Sequence, residues 1–280
     1  MRAGRPAGSP RGRYGAARPP GPGPGLRARA GLLGAALLVL IAGCGTPGSG
    51  AGAGSGGGAE RSPGAGPVAS GGLPPVIDRV PTRDRVVFLT YDDGAERDPG
   101  FIDLVRERAL PVSLFLTDSV TGPGYAHFAR LRAVGASLQN HTLDHRALRG
   151  LPYAGQRAEI CGQQRKLRSR FGVRATLFRP PYGTYDATTL KAAADCGIRA
   201  VIASRATLET DGHLTYTAGP QRLNPGDIIA VPSVETPSLT LAERTARLLE
   251  ELEERGLKVG KLETYVSRIS PSGGTPSGGV

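Results

Sequence analysis

The chain has 280 residues, 35 of them basic and 24 acidic, for a net charge of +11; 42 are glycine, 24 proline and none tryptophan. That length admits one or two domains, but residues 1 to about 75, dominated by Gly, Pro, Ala, Ser and Arg, cannot bury enough apolar surface to pack. A nucleic-acid partner is not expected: seven of the basic residues and no acid precede residue 44, and beyond it the net charge falls to +4.

Residues 1–43 have the layout of a signal peptide. Arginines lead into the apolar run from Gly31 to Ile41, too short to span a bilayer comfortably, and small residues follow before a cysteine. Ile41-Ala42-Gly43-Cys44 resembles the lipobox of bacterial lipoproteins. The resemblance implies acylation of Cys44 and a lipid anchor to the outer face of the bacterial cell membrane. The plainer alternative is an uncleaved anchor with an incidental cysteine. Residues 44–75 read as a flexible Gly/Ser/Pro tether, 76–270 as the folded domain and 271–280 as a disordered tail.

Within 76–270, short β-branched runs alternate with helical patterns. Strands are expected at 85–90, 112–116, 136–139, 175–178, 200–203 and 227–231, with a short one near 258–261. Helices are expected at 100–109, 125–134, 152–171, 187–196 and 239–255. Such alternation predicts an α/β fold of parallel strands and crossover helices, either an incomplete barrel or an open sheet. In both, function gathers at the carboxyl ends of the strands.

Three short motifs fall at those ends: Thr90-Tyr91-Asp92-Asp93-Gly94, Asn140-His141-Thr142-Leu143-Asp144-His145 and Arg179-Pro180-Pro181-Tyr182. A divalent ion that activates water needs a few fixed ligands and an open position. Asp93, His141 and His145 supply two imidazoles and a carboxylate, the histidines facing one way if 141–145 forms a helical turn. Asp92 is then free to take a proton from water, with Arg179 keeping it ionised and aimed. Singly, the motifs are bland: Asp-Asp-Gly is a common turn, His-x-x-x-His also a capping or solvated pair, Arg-Pro-Pro-Tyr a rigid loop. Two histidines and a carboxylate also suit non-haem iron, where the Asp-Asp pair and Arg-Pro-Pro-Tyr have no natural place.

Together the motifs resemble those of the NodB-homology polysaccharide deacetylases, metal-dependent carbohydrate esterases. The resemblance spans about residues 86–266 and implies a distorted, incomplete (β/α) barrel. It implies Asp92 as catalytic base, Asp93, His141 and His145 as metal ligands, Arg179 as the brace of the base, and Tyr182 as a backbone oxyanion donor. The implied cofactor is one divalent metal, Zn before Co or Ni. The implied partner is an N-acetylated glycan such as peptidoglycan or a chitin-like oligosaccharide.

Three departures qualify it. Tyr91 replaces the usual Phe, the pocket Trp is missing from Val201–Thr207, and Pro232 stands where the general-acid His would end a strand. Proline has no side-chain proton to give. Reduced activity is expected; the alternative is a degenerate module that binds glycan with little turnover. His213 is a conceivable substitute acid, and His127, in a helical stretch, is expected to pack or be solvated. Cys161 and Cys196 form a possible disulfide, since an exported domain permits one.

Overall fold

The computed structural model describes residues 72–95, 97–232 and 239–269. The expected signal peptide, Cys44, most of the tether and the tail lie outside the described residues. Among the described residues, no helix is long and apolar enough to cross a membrane.

In chain order the elements are β1 (Val76–Ile77), β2 (Val86–Asp93), α1 (Pro99–Glu107), β3 (Ser113–Leu116), α2 (Asp118–Thr121), α3 (Tyr125–Ala133), β4 (Ser137–Asn140) and α4 (Tyr153–Phe171). There follow β5 (Leu177–Phe178), α5 (Ala187–Asp195), β6 (Ala200–Ile202), β7 (Ala206–Leu208), β8 (Leu214–Tyr216), β9 (Ile228–Val231), α6 (Leu241–Glu254), β10 (Lys258–Val259) and α7 (Leu262–Val266).

Local chemistry sets the helix ends. Asp98 caps α1, accepting from the Gly100 amide, with Pro99 at the first helical position. Asp186 with Thr189, and Thr240 with Glu243, form capping boxes on α5 and α6. Gly172, at φ 66°, ends α4 in the left-handed conformation that glycine adopts without steric cost.

The sheet runs β1-β6-β5-β4-β3-β2-β9-β7-β8, with β10 pairing the start of β2. Every pairing of these strands is parallel except β7–β8. The result is a curled half-barrel with helices outside, an incomplete barrel as the motif resemblance implied. Alternation along β2 divides its side chains. Val87, Leu89 and Tyr91 join the larger core with helix residues such as Phe101 and Leu248, while Phe88 joins a second core with Phe115, Ile202 and Ile228. Leu262 and Val266 of α7 complete this second core.

Two expectations needed correction. Asp92 and Asp93 do not follow a strand; they are its last two residues, because β2 runs on to pair with β3 as far as Asp93↔Leu116. Residues 141–145 do not form a helical turn either: Thr142 has φ 75° and His145 φ 55°. Contacts with the rest of the fold fix this segment, and residue spacing alone does not encode them.

Candidate metal centre

Parallel pairing brings the three motifs to one rim by register. Asp93 is level with Leu116, Leu116 with Asn140, and Asn140 with Phe178. The ladder then extends one step past the strands: the His141 amide donates to Leu116 O at 3.1 Å and the Arg179 amide to Asn140 O at 3.0 Å. His141 and Arg179 are thereby set side by side just above the sheet.

The ligand atoms of Asp93, His141 and His145 all lie within 4.8 Å of one another. Asp93 Oδ1 is 3.0 Å from His145 Nε2 and 3.4 Å from His141 Nε2. Yet this buried oxygen takes part in no hydrogen bond of acceptable geometry. A buried acceptor without a donor is costly. Two ring nitrogens and a carboxylate oxygen converging without proper hydrogen bonds fit three ligands around a divalent ion, with a position left open. His141 Nδ1 lies 2.7 Å from Arg179 O, which fixes the ring and leaves Nε2 to face the cluster.

The charges respond to this crowding. Burial would raise the Asp93 carboxyl, but the facing imidazoles of His141 and His145 hold it well below the ordinary carboxylate range. The Asp93 carboxylate raises the His145 imidazole above its usual value, against the opposing effect of burial.

Asp92 is held apart from the cluster. Arg179 Nη1 donates to Asp92 Oδ1 at 2.6 Å. The buried Arg179 is itself pinned: Nε donates to Ile202 O at 3.3 Å, Nη2 to Ala203 O at 3.4 Å, and the guanidinium stacks over Phe115 at 4.6 Å. These carbonyls belong to the stretch lacking the expected Trp, which here braces the arginine through its backbone. Tyr182 is exposed, adopts φ 58°, and packs edge-on against His145 at 4.8 Å.

Backbone strain concentrates at the site. Of five described non-glycine residues with positive φ, four are Asp93, Thr142, His145 and Tyr182. Each such conformation costs on the order of 1–3 kcal/mol and persists only where its surroundings enforce it.

Next to β2, on the side away from β3, β9 ends at Val231, which pairs with Tyr91. Pro232 follows, half-buried, its carbonyl accepting from the buried Arg244 at 3.4 Å. Proline lacks the amide that would extend the ladder. His213 is exposed in the β7–β8 turn, its amide bonded to Asp211 Oδ1 at 3.0 Å, and is not part of the cluster. His127 is buried on α3. Cys161 and Cys196 are bonded to each other, tying α4 to the end of α5. Tyr91 has a reason to differ from Phe: its hydroxyl lies 3.0 Å from Thr245 Oγ1, within the layer under α6.

Sequence reasoning missed the groups behind the histidines, notably Glu159 of α4. A signal existed. The inward positions of α4 include Gln156, Glu159, Ile160 and Gln163, a core-facing stripe with three polar members. Polar side chains on such a stripe must have buried partners.

The fold and rim define an α/β domain with a candidate metal site at the carboxyl ends of its parallel strands. Comparison with known proteins narrows the class. Residues 79–201 match the family model described as polysaccharide deacetylase. An uncharacterized protein of Streptomyces coelicolor is 71% identical over 194 residues, covering 69% of this chain and 78% of its own. Chitin deacetylase 1 of Cryptococcus neoformans is 29% identical, covering 64% of this chain, which spans only 38% of that longer protein. A family 4 carbohydrate esterase from Bacillus anthracis superposes with a TM-score of 0.58 at 20% identity, covering 69% of this chain and 87% of that one. A family 4 pseudoenzyme from the same organism superposes with a TM-score of 0.59 at 20% identity, covering 69% of each chain. The chain belongs to the polysaccharide deacetylase family.

Proposed function

We propose that the domain hydrolyses acetyl groups, N-linked or O-linked, on cell-wall or extracellular polysaccharide, with turnover reduced by Pro232. The observation that carries this reading is the convergence of Asp93, His141 and His145 beside an Asp92 clamped by Arg179. Asp93, His141 and His145 would hold one divalent ion, Zn²⁺ by the character of its nitrogen and oxygen donors, with Co²⁺ or Ni²⁺ as substitutes. Such an ion supplies Lewis acidity that polarises an acetyl carbonyl and acidifies water.

The chain's own residues divide the remaining work. Asp92, aimed by the hydrogen bond it accepts from Arg179, takes the proton of the attacking water at its carboxylate. The Tyr182 amide would donate to the oxygen on which charge develops. Breakdown then requires a proton for the leaving nitrogen, and Pro232 has none. Loss of a general acid removes about two to four orders of magnitude in rate. An ester, whose alcohol leaves more readily than an amine, would suffer less.

Pro232 also favours a second reading, a degenerate module that binds glycan with little turnover. The name of one neighbour illustrates the possibility: a mutant of the Bacillus anthracis pseudoenzyme is described as having restored activity. Acetate release from chitooligosaccharide, peptidoglycan and an aryl acetate, with Zn²⁺, Co²⁺ or Ni²⁺ supplied, separates the two. Metal-dependent release lost in Asp92→Asn supports the enzyme. Release from no substrate by the wild type, with activity gained only in Pro232→His, favours the module. The segment before the domain is proposed to end in a lipid anchor on Cys44, holding the protein at the outer face of the membrane; the mass of the mature amino terminus tests it.

A further inference from the structure

Glu159 is a buried carboxylate, 5% exposed, that the proposed chemistry does not use. Its Oε2 accepts the Asp144 amide at 3.0 Å, and Asp144 immediately precedes His145. Three further contacts reach the same region from the next four residues of α4. The Asn140 side chain accepts from the Thr142 amide at 3.0 Å and donates to Ile160 O at 2.9 Å. Leu143 lies against Gly162, where an added Cβ would come within 3.2 Å of it. Gln163 donates to Leu116 O, the carbonyl that also receives the His141 amide. Cys161, at the centre of this stretch, fastens it to Cys196.

The segment so held has no helix or strand of its own and contains Thr142 and His145 at positive φ. Without an external acceptor for the Asp144 amide, relaxation of His145 toward negative φ would carry its Nε2 away from Asp93 Oδ1. The Glu159 oxygen supplies that acceptor, so the Asp144 amide is not left without a partner.

We propose that Glu159 is a positioning residue of the metal centre, acting through the Asp144 amide to hold His145 in its ligating conformation. The inference rests on the metal-binding reading of Asp93, His141 and His145. A purely structural Glu159 would affect only folding stability, so metal affinity separates the two roles.

The test uses the full chain with Glu159→Ala and Glu159→Gln. Zn²⁺ affinity is read by competition with a chromophoric chelator, the visible spectrum is recorded with Co²⁺ bound, and the thermal midpoint is taken metal-free. Glu159→Ala is expected to weaken Zn²⁺ about 10- to 100-fold, the usual effect of losing a group that orients a ligand, and to alter the Co²⁺ spectrum. Glu159→Gln, which keeps an acceptor oxygen, should recover most of both. A Glu159→Ala protein with wild-type affinity and spectrum, and only a lowered midpoint, overturns the proposal. Should that variant fail to fold, Glu159→Asp decides: drawing the acceptor back by one methylene should weaken Zn²⁺, and unchanged affinity overturns the proposal. A wild type that binds no Zn²⁺ overturns the metal reading and this inference with it. Tight wild-type binding with indifferent variants overturns this inference alone.

Discussion

Two sides of one rim are built to different standards. On the side formed by β2, β4 and β5, Asp92, Asp93, His141 and Arg179 are locked by ladder bonds, a buried guanidinium stacked on Phe115, and a loop held from behind by α4. Four strained backbone positions are tolerated there. On the side formed by β9, the strand stops at Val231, and Pro232 offers neither an amide to the ladder nor a proton to a leaving group. Gathering and polarising a substrate and releasing its amine are thus separable demands on this fold. Under the proposed function, this sheet would meet the first with a full set of side chains and leave the second to the substrate.

The largest expected effect lies on the well-built side. Asp93→Ala or His141→Ala removes one of three ligands and should abolish stoichiometric metal binding, weakening it well beyond the roughly 10- to 100-fold typical of outer groups. Metal content after dialysis, with circular dichroism to confirm the fold, reads the outcome. Retention of one equivalent by either variant would break the assignment of this side.

The next effect tests the other side. Pro232→His should raise turnover of an N-acetyl sugar by about two orders of magnitude or more, and of an aryl acetate by much less, because only the amine needs the donated proton. Parallel gains on both substrates would mean that Pro232 limits something other than leaving-group protonation.

The two sides also differed in how far the sequence disclosed them. That Asp92, Asp93, His141, His145 and Arg179 gather on one rim was legible because short motifs at strand ends are local, and parallel alternation predicts that such ends share a rim. The conformation of 141–145 was not legible. Its histidine spacing suits a helical turn, whereas the contacts made by this segment come from Glu159, Ile160 and Gly162, residues about twenty positions away. Strand β1 has two residues and exists by pairing with β6; β7 and β8 have three each and pair with one another. Elements that short carry too little periodicity to be read alone.

A smaller effect concerns the helix that supports the histidines. Replacing both Cys161 and Cys196 by serine opens a link between residues 35 apart and should lower stability by about 2–4 kcal/mol. Denaturant unfolding measures it. If the same variant also weakens Zn²⁺, support of the metal side extends through α4 to α5; an unchanged affinity confines that support to Glu159 and its neighbours.

The smallest effect is in pH. His127 is lowered from its usual value, first by burial and then by Arg130 and Arg97, with Asp98 opposing. Between its folded value and the unfolded value of about 6.5, the unfolded chain binds more protons, so stability falls as pH drops through that window. His145 has the opposite sign. Raised by Asp93, it stabilises the metal-free protein below about pH 6.5, and that contribution is lost as pH rises through its higher folded value. In chelator, His127→Gln should therefore flatten the acid side of the stability profile, and Asp93→Asn the alkaline side. Profiles unchanged by His127→Gln would assign the acid-side loss to another group. Because His127 lies on α3, outside the three-residue cluster, its half of the profile should persist when the cluster is disabled, whereas the half due to His145 should vanish with Asp93.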